Sequence, residues 1–148
     1  MQFKRFAIVT LMGAALMASG CNRATLAEKH NPAKVDSTDV KGIMRVTLEK
    51  RAAERIGLQT VAVRDEEVVL AGGTKTLKVV PYGALMYDTK GETWAFTNPT
   101  PLVFVRQHIV VESIVGDRAF LAEGPAVGTL VVTVGATELM GAEHKYGQ

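Results

Sequence analysis

In 148 residues there is a single cysteine, Cys21, so no disulfide can form within the chain. There is one tryptophan, Trp94, and there are three histidines, His30, His108 and His144. The metal-ligand patterns CxxC and HExxH do not occur, nor does the phosphate-binding GxxxxGK[ST] loop or the GxSxG nucleophile turn. Gly72-Gly73-Thr74-Lys75-Thr76 sets glycines beside a lysine but lacks the spacing and following helix of a phosphate loop. Glu66 and Glu67 are neighbours in a β-prone run, where successive side chains point to opposite faces, so they do not form an acid–base pair. With no nucleophile–base or metal constellation, the chain does not read as an enzyme. No long stretch keeps a heptad or 3.6-residue period, which excludes a long helical hairpin.

Charge of one sign is also lacking. Lys and Arg number 17 and Asp and Glu 15. Residues 1–20 hold two of the bases, Lys4 and Arg5, and none of the acids, so the remainder is formally neutral. A basic nucleic-acid footprint is therefore absent.

Residues 1–20 have the form of an export signal: the positive Lys4 and Arg5, an apolar run over 6–17, and small Ala18-Ser19-Gly20 before Cys21. The run falls short of the roughly 20 apolar residues that a bilayer-spanning helix needs. Leu16-Met17-Ala18-Ser19-Gly20-Cys21 resembles the lipobox of bacterial lipoproteins, with Ala18 where Leu is usual. That resemblance implies cleavage before Cys21 and a covalent lipid on its thiol. It also bears on sorting. Asn22 follows the cysteine where an Asp would retain a lipoprotein in the inner membrane of Gram-negative bacteria, and so favours the outer membrane.

Residues 21–42 are polar, contain Pro32 and show no sustained period. They read as the lipidated cysteine and a tether, spanning about 25 Å if flexible. His30 then lies in a solvated linker. A domain is expected over 43–140, followed by a polar tail over 141–148 that frays.

Within 43–140, IMRVTL (43–48) reads as a strand and EKRAAERI (49–56) as a short helix. Leu48, Ala52 and Ile56 share one helix face, Thr47 is a candidate cap, and Gly57 ends the helix. Strands are expected at 58–64, 67–71 and 76–80, with Gly72-Gly73 as a turn and Pro81 as a stop. Residues 84–88 and 93–97 flank Asp88-Thr89-Lys90-Gly91, which suits a type I turn followed by a left-handed glycine. Asn98-Pro99-Thr100-Pro101 reads as a rigid loop. Strands follow at 102–107 and 109–115, then a Gly116-Asp117 hairpin turn, a return strand at 118–122 and a last strand at 130–134. Many short strands between turn signals predict a mainly β fold, a small roll or barrel with one short helix.

The residues Val80-Pro81, Ala84-Leu85, Tyr87-Asp88, Gly91 and Trp94 resemble the C-terminal membrane-proximal segment of periplasmic adaptor subunits, the membrane-fusion proteins of RND-type efflux pumps. The likeness continues through 109–115, Gly116-Asp117, Gly124, Gly128, Val131-Val132 and Gly135-Ala136. Residues 46–63 resemble the opening strand, helix and strand of the mature adaptors. Those adaptors insert lipoyl-like, helical-hairpin and barrel domains between the two segments. Here only thirteen residues separate Val63 from Leu77. The resemblance thus implies the membrane-proximal domain alone, built from both halves, with 58–63 packing on strands after Val79. It implies an inner-membrane transporter or its adaptor as partner, in tension with Asn22.

Some adaptors of that family serve copper and silver pumps through methionines. Met44, Met86 and Met140 are accordingly candidate soft-metal ligands, although methionine more often fills core space. His108 begins a strand and His144 lies in the tail. Trp94 and Phe96 share a face and are expected in the core. Tyr82, beside Pro81, is the candidate for an exposed partner contact. Alternative readings are a periplasmic metal- or small-ligand-binding lipoprotein, or a structural envelope lipoprotein.

Overall fold

The computed structural model describes residues 31–146. The expected export signal over residues 1–20, Cys21 and His30 lie outside the described residues. Among the described residues eleven strands form two antiparallel sheets: β1 (Ala33–Ser37), β2 (Met44–Leu48), β3 (Gln59–Ala62), β4 (Arg64–Leu70), β5 (Gly73–Pro81), β6 (Met86–Tyr87), β7 (Thr93–Thr100), β8 (Val103–His108), β9 (Val110–Val115), β10 (Arg118–Glu123) and β11 (Leu130–Val134). Helix α1 spans Lys50–Arg55 and α2 spans Ala136–Tyr146. The first sheet runs β1-β2-β8-β7-β11-β3, with β6 paired to β7, and the second runs β4-β5-β10-β9. The mainly β architecture expected from the sequence is present. The sheets do not close into a barrel.

Two segments pass from one sheet to the other through a single residue. Val63 alone separates β3 from β4, and Ile109 alone separates β8 from β9. Both are buried in one core cluster. Val63 donates its N–H to Thr129 O (2.9 Å) and Ile109 donates to Thr93 O (3.0 Å), so neither corner strands a buried donor. Strands that switch sheets at such bends tie the layers together.

Alternation along the strands supplies both faces of the first sheet. Val46, Phe96, Phe104 and Val132 face the helices and pack with Leu48, Ala53, Ala136 and Leu139. Ala95 and Val131 face the second sheet and meet Val63, Val80, Ala119 and Leu121. A smaller cluster of Val68, Val79 and Phe120 belongs to the second sheet.

The expected contact between the two halves is present: β3 pairs with β11 through Val61↔Val131, and Val63 shares a core cluster with Ala95 and Val131. Helix α1 ends in a Schellman arrangement. Gly57 (φ 62°) donates to Glu54 O at 3.1 Å and Leu58 donates to Ala53 O at 3.1 Å. Its N-cap is Glu49 and not Thr47, because Thr47 still belongs to β2, opposite Val103.

Three further expectations are corrected. The supposed tether contains β1, whose Val35 lies opposite Val46 and packs on the helix-side core. The supposed tail is α2: Leu139 is fully buried and Glu143 nearly so, which gives the helix a docked face. The Asn98–Pro101 region is strand through Thr100. Asn98 Nδ2 donates to Thr100 O (2.6 Å) and Val103 O (2.8 Å), closing the Pro101-Leu102 turn with Leu102 at φ 64°.

Candidate functional site

The Asp88 turn forms as the sequence predicts. Gly91 (φ 81°) donates to Asp88 O at 3.1 Å. The Asp88 side chain organises the rest: Oδ1 accepts from the N–H groups of Lys90 (2.8 Å) and Glu92 (2.9 Å), and Oδ2 from Trp94 Nε1 (3.3 Å). Desolvation acts to raise the pKa of this carboxyl. The donors from Glu92, Lys90 and Trp94 together outweigh it and hold the group below its usual range.

Trp94 sits beneath a charged cluster. The guanidinium of Arg106 lies 4.5 Å from its ring centroid, and His108 meets the ring edge-on at 5.2 Å. These three follow from register, since Trp94 is opposite His108 and Phe96 is opposite Arg106 in β7 and β8. Phe96 is fully buried, whereas Trp94 is half-buried and serves as the platform for Arg106. Arg106 donates from Nε to Glu143 Oε1 (2.8 Å) and from Nη2 to Gly42 O (2.6 Å). The same Glu143 oxygen accepts the Met44 N–H at 3.1 Å, while Oε2 is buried without a hydrogen-bond partner among the described residues. Arg106 therefore joins three elements: the β1–β2 hairpin, β8 and α2.

Clefts open on both sides of Arg106. One, of about 520 Å³, runs between the β1–β2 loop and β8, past Arg45, Trp94 and His108. The other, of about 410 Å³, is lined by Tyr87, Asp88, Lys90, Met140 and His144. An apolar groove of about 230 Å³ lies between α1 and α2, over Leu48, Ile56 and Leu139.

Tyr82 and Tyr87 are both about half exposed, at 48% and 55%. Desolvation, then the charge of Tyr82, then a hydrogen bond with Tyr82 raise the Tyr87 phenol above its ordinary value. Tyr82 N–H is anchored on Asp117 O at 2.6 Å, next to the β9–β10 turn. The pair presents two stiff aromatic side chains with polar tips, a composition suited to protein contact.

The structure does not gather the methionines at one point. Met86 lies on β6 and Met44 on β2, with β7 and β8 between them. Three inter-strand spacings of roughly 4.8 Å put them about 14 Å apart, beyond the span of one ion's ligands. Met86 and Met140 pack against the helix-side core, where a thioether fills space. Met140 and His144 share a cleft with Asp88, whose carboxylate is already engaged by three N–H donors. Among the described residues no group of three or more His, Cys, Asp or Glu is placed to hold a metal ion. Nor, among them, is any helix long and apolar enough to cross a membrane.

Neither Arg106 nor Glu143 stood out in the sequence. A signal was available: Arg106 has the same strand parity as inward Phe104, so alternation alone places a cation against the core and demands a partner. The partner lies 37 residues on, in a segment too polar to announce a helix. Compared with models of known families and with curated proteins, the chain matches none.

Proposed function

We propose that the chain is a lipid-anchored protein of the cell envelope, on its periplasmic side, whose β domain works as a docking module and not as an enzyme. Its partner on this reading is an RND-type transporter or the adaptor attached to one. The carrying observation is the union of the two adaptor-like segments. Residues 46–63 and the strands after Val79 build one folded unit, with Val63 and Val80 in a common core. Such a unit needs none of the lipoyl, hairpin or barrel insertions to bury its apolar faces, which makes the short link between the halves physically sufficient.

Tyr82 and Tyr87 are the residues we assign to the partner contact, because both are about half exposed and stand at the ends of β5 and β6. The lipid on Cys21 would hold this surface near the membrane.

Tagged full-length protein extracted from membranes is expected to carry an envelope transporter or adaptor with it. Tyr82→Ala combined with Tyr87→Ala should reduce that recovery without changing the thermal midpoint. Radiolabelled palmitate should enter the chain and be lost in Cys21→Ser. Recovery of the protein free of any transporter component, together with unchanged drug and metal tolerance on deletion, would overturn the docking role. Fractionation of inner and outer membranes then decides between the sorting implied by Asn22 and that implied by the adaptor resemblance.

A further inference from the structure

Edge strands expose unpaired backbone groups, and folded proteins blunt them with charge, shortness or cover. Setting aside two-residue β6, which pairs only with β7, three edges among the described residues carry such features. β4 carries Arg64, Asp65, Glu66 and Glu67 in succession before Val68, Val69 and Leu70, of which Val69 is 79% exposed. β1 carries Lys34 and Asp36, ion-paired at 2.9 Å. β3 is four residues long and begins with Gln59 and Thr60. The fourth edge, β9, is different. It pairs with β10 on one side only, and its sequence is Val-Val-Glu-Ser-Ile-Val. Val110, Ile114 and Val115 are 38%, 46% and 41% exposed. Its one charge, Glu112, is matched by Lys75 at 2.9 Å.

We infer that β9 is a self-association edge, pairing antiparallel with β9 of a second copy about a two-fold axis. The strand's hydropathy is symmetric about its centre. Antiparallel pairing sets Val111 against the second copy's Ile114 and Val110 against its Val115, with Glu112 against Ser113. Every apolar side chain meets an apolar one, and no like charges are directly opposed. A different partner sequence would gain nothing from this symmetry, whereas an isologous interface requires it.

A geometric condition tests the register. Continuing a sheet about a two-fold axis normal to it demands that opposed residues share a face. In a regular strand Val111 and Ile114, three residues apart, would not. The bulge in β9 removes the conflict. Val111 lies opposite Leu121 and Ser113 opposite Phe120, so Glu112 is the extra residue on β9; the next shift, with Val110 opposite Glu123, makes Ala122 the extra residue on β10 and leaves the faces of β9 unchanged. Ile114 lies opposite Ala119. Leu121 and Ala119 belong to the same inner core cluster, so Val111 and Ile114 do share a face. The bulge that interrupts pairing with β10 thus brings the apolar pairs into two-fold register.

Sedimentation equilibrium of the full-length chain in density-matched detergent should show a dimer. Ile114→Lys should weaken it at least tenfold, and Glu67→Lys on the opposite edge should not. For register, full-length Val110→Cys chains are mixed with Val115→Cys chains and oxidised. A mixed disulfide dimer between the two substituted positions is expected, mapped by peptide analysis, and neither variant alone should form one at its substituted position. A monomer at all concentrations, a dimer insensitive to Ile114→Lys, or cross-linking of either variant with itself at that position would overturn the inference.

Discussion

Arg106 and Glu143 form a buried ion pair, 2.8 Å from Nε to Oε1, with side chains 14% and 3% exposed. Removing either partner leaves an uncompensated charge beside an apolar core, and that penalty exceeds the value of the bond itself. Arg106→Ala is expected to destabilise the domain by about 3–5 kcal/mol. Pairing Arg106→Met with Glu143→Leu should recover most of the loss, since replacing both charges removes the desolvation penalty as well. Urea unfolding of the two single variants and the double variant checks this. Additive losses would sink it.

The same pair makes α2 part of the fold. Leu139→Ala is expected to cost about 2–5 kcal/mol, as for a fully buried leucine. Truncation after Gly135 should go further, because it removes Leu139 and Glu143 together and bares the sheet face around Phe96 and Phe104. The truncated chain should bind a hydrophobic dye at a temperature where the intact chain does not.

Asp88 should make stability depend on acid. Its carboxyl titrates lower in the folded chain than in the unfolded one, so the folded state favours the ionised form. The resulting stability is fully present above the ordinary Asp pKa of about 3.9 and is lost as pH falls through the folded value. The thermal midpoint of the native chain should exceed that of Asp88→Asn at pH 6, and the gap should close as pH is lowered below about 4. A gap constant from pH 6 to pH 3 would contradict the assignment.

Two glycines separate backbone conformation from packing. Gly57 has φ 62°, and an added Cβ would meet no atom within 4 Å, so Gly57→Ala should cost about 1 kcal/mol from conformation alone. Gly135 has φ 94°, and an added Cβ would lie 3.2 Å from Ile56 Cδ1. Gly135→Ala should therefore cost more than Gly57→Ala. Equal losses in denaturant unfolding would show that Ile56 gives way freely.

Much of the architecture was legible in the chain because its causes are local. Asp88 and Gly91 fix their turn through hydrogen bonds spanning four residues or fewer. Gly116-Asp117 closes a hairpin and Gly57 ends a helix for the same reason, a left-handed φ that glycine adopts at little cost. Alternation placed Phe96 in the core and separated Glu66, which pairs with Arg118, from exposed Glu67. The exposure of Tyr82 was legible because it adjoins a proline at a strand end, whereas the half-burial of Trp94 was not, because it depends on Arg106 from β8.

The remainder depended on contacts that no window of sequence contains. Residues 33–37 are too polar to read as a strand, and become one because Val35 meets Val46 across a two-strand ladder. α2 has no strong apolar stripe; Leu139 and Glu143 order it by reaching a core and an arginine supplied by β8 and its neighbours. By itself the sequence determined the turns, the strand periods and the sorting of side chains to faces, since these follow from φ preference and a two-residue repeat. Only the tertiary structure decided which charge would be buried, where Arg106 would find its counterion, and which strands would lie at sheet edges, because burial and pairing are properties of residues brought together from across the chain.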